Sequence, residues 1–263
     1  MKTSTHKKII YSSISILLLI LAWELLAFSK NEPTIFPHVT GIFEALIRIF
    51  NKSNFVILLS TLLRVIISVV FSFIVSIIIG FLYIWKKESF YFFKPIISIM
   101  RSTPQVILSI FLFILFDDIA PYIITILVIL PVATEGILTA IDNIDPVLDD
   151  DLKLIDCNLI KKLVYVYIPL IKDYLLMVFV QIFGLGFKVM IMGEYISYTK
   201  NSIGNHLYGV KGTDMPELIA WGVIAAIVVI IVEALVNLIV NKINSKPKVE
   251  ENLDVVIDEE EVN

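Results

Sequence analysis

Cysteine occurs once in the 263 residues, at Cys157, and histidine three times, at His6, His38 and His206. A single thiol excludes an internal disulfide framework and a cysteine-based metal cluster. The three histidines show no metal-ligand spacing, so no metal and no cofactor is expected in this chain. Charge is scarce as well: Asp, Glu, Lys and Arg make up 17% of the residues, where soluble domains carry about 25%. There is no G-x4-G-K-[ST] phosphate loop and no His-Glu or Ser-His set on neighbouring segments, which leaves no catalytic constellation and points away from an enzyme. The formal net charge of −4 comes largely from the C-terminal stretch ENLDVVIDEEEVN. That stretch is acidic and poor in aromatics, offers nothing to nucleic acid, and is expected to be a solvated tail over residues 241–263.

Apolar side chains are what the sequence has in excess: 58% of the residues are hydrophobic, against about 45–50% in soluble domains. Measured against the ~20 residues a helix needs to cross a bilayer, six runs fit: 9–28, 56–84, 96–116, 119–141, 170–192 and 218–240. The expected fold is therefore all-α and polytopic, with six transmembrane helices. An N-terminal anchor covers 1–32 and a transmembrane domain covers 33–240. The first run follows Lys7 and Lys8 like a signal peptide. It lacks a small-residue cleavage site and exceeds a signal peptide's apolar core, so it is expected to be retained.

Orientation follows from lysine and arginine, which stay on the cytoplasmic side. Lys2, Lys7, Lys8, Lys86, Lys87, Lys94, Arg101, Lys153, Lys161, Lys162, Lys172, Lys242, Lys246 and Lys248 fall on one side, and only Lys30, Arg48, Lys52, Lys200 and Lys211 on the other. Both termini are thus expected in the cytoplasm.

A charged stretch of about twenty residues, DDDLKLIDCNLIKKLVYVYIP at 149–169, interrupts this apolar chain. Asp145 followed by Pro146 suits a helix start, with aspartates at the positive end of its dipole. Leu152, Ile155, Leu159, Leu163 and Val166 recur at steps of three and four, which places an apolar stripe on one side. Two readings fit that pattern: an interfacial helix lying on headgroups, or an amphipathic element offered to a groove on a cytoplasmic partner.

The same stretch resembles the cytoplasmic loop of permease subunits of binding-protein-dependent ABC importers, whose pattern is E-A-A-x3-G-x9-I-x-L-P. Counted back from Pro169, the pattern falls on Asp150, Asp151, Leu152, Asp156, Val166 and Ile168. Spacing and terminal proline are kept, while Asp150 stands for the glutamate, Asp151 and Leu152 for the alanines and Asp156 for the glycine. Asn158 tolerates the left-handed turn that the glycine would supply. Other fragments follow in the family's order: Phe36-Pro37-His38 through Leu46; Thr61-Leu62-Leu63-Arg64-Val65 followed by Gly80; Pro95, Arg101 and Pro104 ahead of Phe116; Pro131 to Ile137 followed by Asp142; Gly186-Phe187-Lys188 to Glu194; and Thr213-Asp214 to Trp221-Gly222. Together they cover roughly residues 33–240 and are most similar to the branch that carries nitrate, sulfonates, taurine and pyrimidine precursors.

The resemblance implies a type I importer permease that works as a homodimer, because six short helices enclose little space and two copies bring twelve. It implies a separate cytoplasmic ATP-binding subunit docked on the coupling loop at about 142–169, through Asp150, Asp151, Leu152, Ile155, Asp156, Cys157, Asn158 and Pro169. A solute-binding protein would deliver substrate from outside the cell or from the periplasm, and the membrane would be the plasma or inner membrane. An ion-gradient transporter would instead show paired acids and two similar halves. The chain has no internal repeat and few intramembrane acids. A membrane scaffold without transport is the other alternative.

Residues inside the apolar runs or at their ends carry the candidate pathway: Ser102, Thr103, Gln105, Glu135, Lys188 and Glu194. Ser102, Thr103 and Gln105 surround Pro104 and make either a kink facing a pathway or a loop at a helix start. Glu135 beside Gly136 is expected to face inward, since lipid exposure of a carboxylate costs ~2–3 kcal/mol. Lys188 and Glu194 lie about 600° apart on an ideal helix, some 120° from a common face, so no direct pair is expected between them. Each is either a pathway residue or, for Glu194, an interfacial carboxylate, and for Lys188 a structural cation. Arg64 either snorkels to the outer interface or lines a pathway. Trp23, Phe28, Tyr83, Trp85 and Trp221 are expected in the interfacial belts.

Overall fold

The computed structural model describes residues 5–30, 32–33, 35–145 and 159–244. All regular structure among them is helical: α1 (Thr5–Lys30), α2 (Val39–Ile49), α3 (Lys52–Trp85), α4 (Phe90–Ser102), α5 (Gln105–Phe116), α6 (Ala120–Asp142), α7 (Ile168–Ser197), α8 (Ile203–Val210) and α9 (Met215–Asn244). A helical turn at Leu159–Lys162 and a π-helical turn at Leu163–Tyr167 run into α7 without a break. The π turn has a local cause. Pro169 cannot donate to the carbonyl four residues back, and the Ile168 N–H reaches the Leu163 carbonyl instead.

Five helical stretches are long and apolar enough to cross a membrane: Ile10–Lys30, Ser53–Trp85, Gln105–Asp142, Ile160–Ser197 and Met215–Leu238. Within the third the backbone turns at Asp117, where φ is +50°. Across it, Leu112 on α5 packs with Ala120 and Ile124 on α6, and Arg101 at the end of α4 bonds Glu135, so α6 runs back along α4–α5 in the opposite direction. The third apolar run thus starts at Phe90 rather than 96, and the Thr103-Pro104 step divides it into two helices. The other runs keep their expected place, the fourth shifted by one residue and the rest within longer helices.

Packing in α3 is inverted relative to a soluble helix. Thr61, Ser68, Ser72 and Ser76 are fully buried, while Leu63, Ile67, Phe71, Ile74 and Ile78 are exposed. A small and polar inner face with an apolar outer face is what lipid selects, since lipid gives no hydrophobic drive and rewards close backbone approach. The serines continue at the same spacing to Gly80, where a Cβ would lie 2.8 Å from Ile137 Cγ2. Ser76 Oγ and Thr134 Oγ1 hydrogen-bond at 3.1 Å across the α3–α6 contact. Gly136 performs the same service between α6 and α7, where a Cβ would lie 2.5 Å from Val178 Cγ2. Gly136→Leu is expected to lower stability by about 1–3 kcal/mol through overpacking, read as a lower Tm in detergent. Gly222→Leu, with nothing within 4 Å of the added Cβ, should leave Tm unchanged.

The main core joins α2, α3, α6, α7, α8 and α9 around Val65, Ile129, Phe187, Ile203 and Trp221. Trp221 is 1% exposed beneath His206 and Ile203, so it is a core residue and not a belt aromatic. By contrast Trp85 and Phe28 are exposed, as belt residues are. α1 stands apart, with nearly all its apolar side chains exposed, and is joined to the rest through its last turns. There Trp23 stacks on Phe36 and its Nε1 donates to the Pro37 carbonyl at 3.0 Å. Glu24 Oε2 accepts from the Val39 N–H at 3.0 Å, filling the capping role that the His38 side chain leaves open at the start of α2.

Candidate functional site

Of the expected coupling residues, Asp150, Asp151, Leu152, Ile155, Asp156, Cys157 and Asn158 lie outside the described residues. Pro169 lies in the first turn of α7, exposed, directly after the π turn. The six pathway candidates fall in three separate places.

Glu194, near the end of α7, is fully buried. Its Oε1 meets Arg64 Nη1 of α3 at 2.9 Å. Its Oε2 accepts from Thr61 Oγ1 at 3.0 Å and from the Gly204 N–H at 3.3 Å. Thr61 Oγ1 in turn accepts the Ile203 N–H at 3.0 Å. Arg64 also donates through Nη2 to the Lys200 carbonyl at 3.2 Å and through Nη1 to the Asn201 carbonyl at 3.4 Å. Arg64 therefore neither snorkels outward nor lines a cavity; it closes a node that ties α3 to the α7–α8 turn. The turn is built for this contact. Tyr198 and Asn201 adopt positive φ, Ser202 caps α8 by accepting from the Asn205 N–H, and Gly204 comes so close that a Cβ would lie 2.3 Å from the Tyr195 nitrogen. Only glycine fits there.

Beyond this turn, Tyr195, Tyr198 and Tyr208 cluster edge to face, with Lys211 Nζ 5.6 Å and 5.1 Å from the Tyr195 and Tyr208 ring centroids. A side-chain hydrogen bond with Tyr195 raises the Lys211 pKa above its ordinary value.

Arg101 and Glu135 form a half-exposed ion pair between α4 and α6. Ser102 donates to the Ser98 carbonyl at 3.0 Å and Thr103 to the Ile99 carbonyl at 2.8 Å, so both hydroxyls serve the helix end that Pro104 interrupts. Gln105 opens α5 with its side chain exposed. Ser102 and Glu135 share a concave surface with Lys94 and Arg101.

Lys188 belongs to a third place, an open groove of ≈890 Å³ between α7 and α9. Asp173, Met177, Gln181, Gly184 and Lys188 recur at steps of three and four along one face of α7, and Glu233 and Asn237 come from α9. Lys188 lies about 13 Å along the axis from Ser197, at 1.5 Å per residue, and so well inside the apolar stretch. Lys188, Gln181, Glu233 and Asn237 are exposed and, among the described residues, make no hydrogen bond or ion pair. Exposed ionisable groups at membrane depth face a protein partner or water, because lipid is too costly. Its place inside the apolar run 218–240 could have revealed Glu233 as the run 170–192 did Lys188; the pairing of Arg64 with Glu194 had no such signal.

No group of three or more His, Cys, Asp or Glu side chains suited to a metal occurs among the described residues. The inverted packing of α3, the long apolar stretches and the ionisable groups set among them define a helical, multi-pass membrane protein. No protein-family model and no curated protein matches the chain.

Proposed function

We propose that this chain is the membrane permease subunit of an ATP-driven importer, working as two copies with a separate cytoplasmic ATPase and an external solute-binding protein. The observation that carries this reading is the α7–α9 groove, where Lys188, Gln181, Glu233 and Asn237 stand exposed along apolar helices. A second copy across that face would cover them and enclose a polar, water-filled path, whereas a single copy would leave them to lipid. In this reading α4–α5 is a crossing of its own beside α6 and the other four long apolar stretches, which would make six passes with the lysine-rich ends in the cytoplasm. ATP-driven closure of the partner subunits, acting on the segment around Asp150 to Asn158, would then rock the two copies as rigid bodies. The family resemblance suggests a small solute such as nitrate, a sulfonate, taurine or a pyrimidine precursor.

The test uses the only thiol. Tagged protein is purified in mild detergent from its own host after crosslinking from Cys157, and whatever remains attached is identified by mass spectrometry. An ATPase subunit joined at Cys157 is the expected result. Purification of the chain alone, with no partner on that thiol, would refute the importer.

A further inference from the structure

At the end of the bundle where α3 finishes and α7 begins, Tyr83, Trp85, Lys86, Lys87, Lys162 and Tyr167 line a pocket of ≈450 Å³. Lys86 and Lys87 follow the last residue of α3, where unpaired carbonyls leave partial negative charge. Lys86 Nζ lies 5.9 Å from the Trp85 ring centroid and Lys87 Nζ 5.9 Å from that of Tyr83. None of the three ammonium groups enters an ion pair among the described residues. Among the described residues two carboxylates are near: Glu88, in the same turn, and Asp142, which already accepts the Tyr83 hydroxyl at 2.8 Å. Among the described residues, positive charge therefore exceeds negative in this pocket. Its level is that of the bilayer interface, because the apolar run of α3 ends at Trp85, which is 60% exposed. The chain continues directly into Tyr91 and Phe92, exposed by 71% and 72%.

We propose that this pocket binds the phosphate of an anionic phospholipid headgroup, with Lys86, Lys87 and Lys162 around the phosphate oxygens and the Tyr91–Phe92 surface against the acyl chains. Basic pockets between membrane helices recognise such headgroups, and a free phosphate would leave the adjoining apolar surface unused. The site requires that the helices span a membrane; it does not require that the protein transports anything, so it can fail while the importer stands, and the reverse.

The experiment is native mass spectrometry of the purified full chain in detergent, titrated with dioleoylphosphatidylglycerol or dioleoylphosphatidylcholine. Wild type is expected to retain the anionic phosphatidylglycerol in preference to the zwitterionic phosphatidylcholine. The Lys86→Ala/Lys87→Ala/Lys162→Ala variant is expected to lose affinity for it about a hundredfold, roughly fivefold per lysine, with no change for Lys200→Ala at the opposite end. Thermal melting in phosphatidylcholine checks that the triple variant folds; where it does not, Lys86→Ala/Lys87→Ala is read in its place, at about twenty-five-fold. Equal retention of the two lipids by wild type, or undiminished retention by the variants, overturns the site. Release of the bound lipid by millimolar inorganic phosphate would make the ligand a free anion and overturn the lipid proposal.

Discussion

Arg64→Leu is expected to destabilise the protein by about 3–5 kcal/mol, the usual consequence of removing one partner from a buried ion pair. The leucine would leave the Glu194 carboxylate fully buried with only Thr61 and the Gly204 N–H for company. The carbonyls of Lys200 and Asn201, which Arg64 now satisfies, belong to exposed residues and would turn to water, so the loss falls on Glu194. Glu194→Leu should cost a comparable amount, because the guanidinium loses its counter-ion while only 16% exposed. The double variant Arg64→Leu/Glu194→Leu is expected to recover much of the loss, since an apolar pair of similar volume carries no unpaired charge. The measurement is a double-mutant cycle on unfolding in lipid nanodiscs, and strictly additive single effects would show that the two side chains are not coupled.

Lys188→Cys, placed in a Cys157→Ser background, is expected to react with a small hydrophilic thiol reagent at least about tenfold faster than Ile74→Cys, because a water-filled groove admits the reagent and lipid does not. Both positions are exposed and both lie well inside apolar helices. They differ in their surroundings. Lys188 stands among Gln181, Glu233 and Asn237, whereas Ile74 lies on the apolar outer face of α3 among Phe71 and Ile78. Lys188→Leu is expected to leave Tm and membrane insertion unchanged, since no contact made by its ammonium holds the fold. Equal reactivity at positions 74 and 188 would mean that the groove is lipid-filled and would remove the support on which the importer pathway rests.

Most of the helical architecture was legible in the residues alone. Crossing a bilayer demands about twenty consecutive apolar residues, and this is a local property that periodicity and length report directly. The runs at 56–84, 170–192 and 218–240 all lie within single helices, and the run at 119–141 does so from Ala120 onward. The break in the third run was legible too, because proline breaks a helix through its own missing N–H. The amphipathic α2 and the short α8 are helices whose existence depends on contacts: Glu24 supplies the end of α2, and α8 rests on Thr61 and Glu194.

The sequence by itself thus determined that this is a helical membrane chain, where its apolar helices run and that ionisable residues stand inside them, because each of these follows from local composition and the cost of charge in lipid. Tertiary structure alone decided what those residues do. Arg64 and Glu194 are 130 positions apart, and a charge at membrane depth has the same sequence signature whether it is sealed in a node like Glu194 or exposed in a groove like Lys188. The same holds for Trp221, whose ring suits a belt or a core equally well and is buried here because α2, α8 and α9 meet around it. Partner choice between distant segments depends on three-dimensional shape and close backbone approach, as at Gly136 and Gly204, and no local pattern carries it.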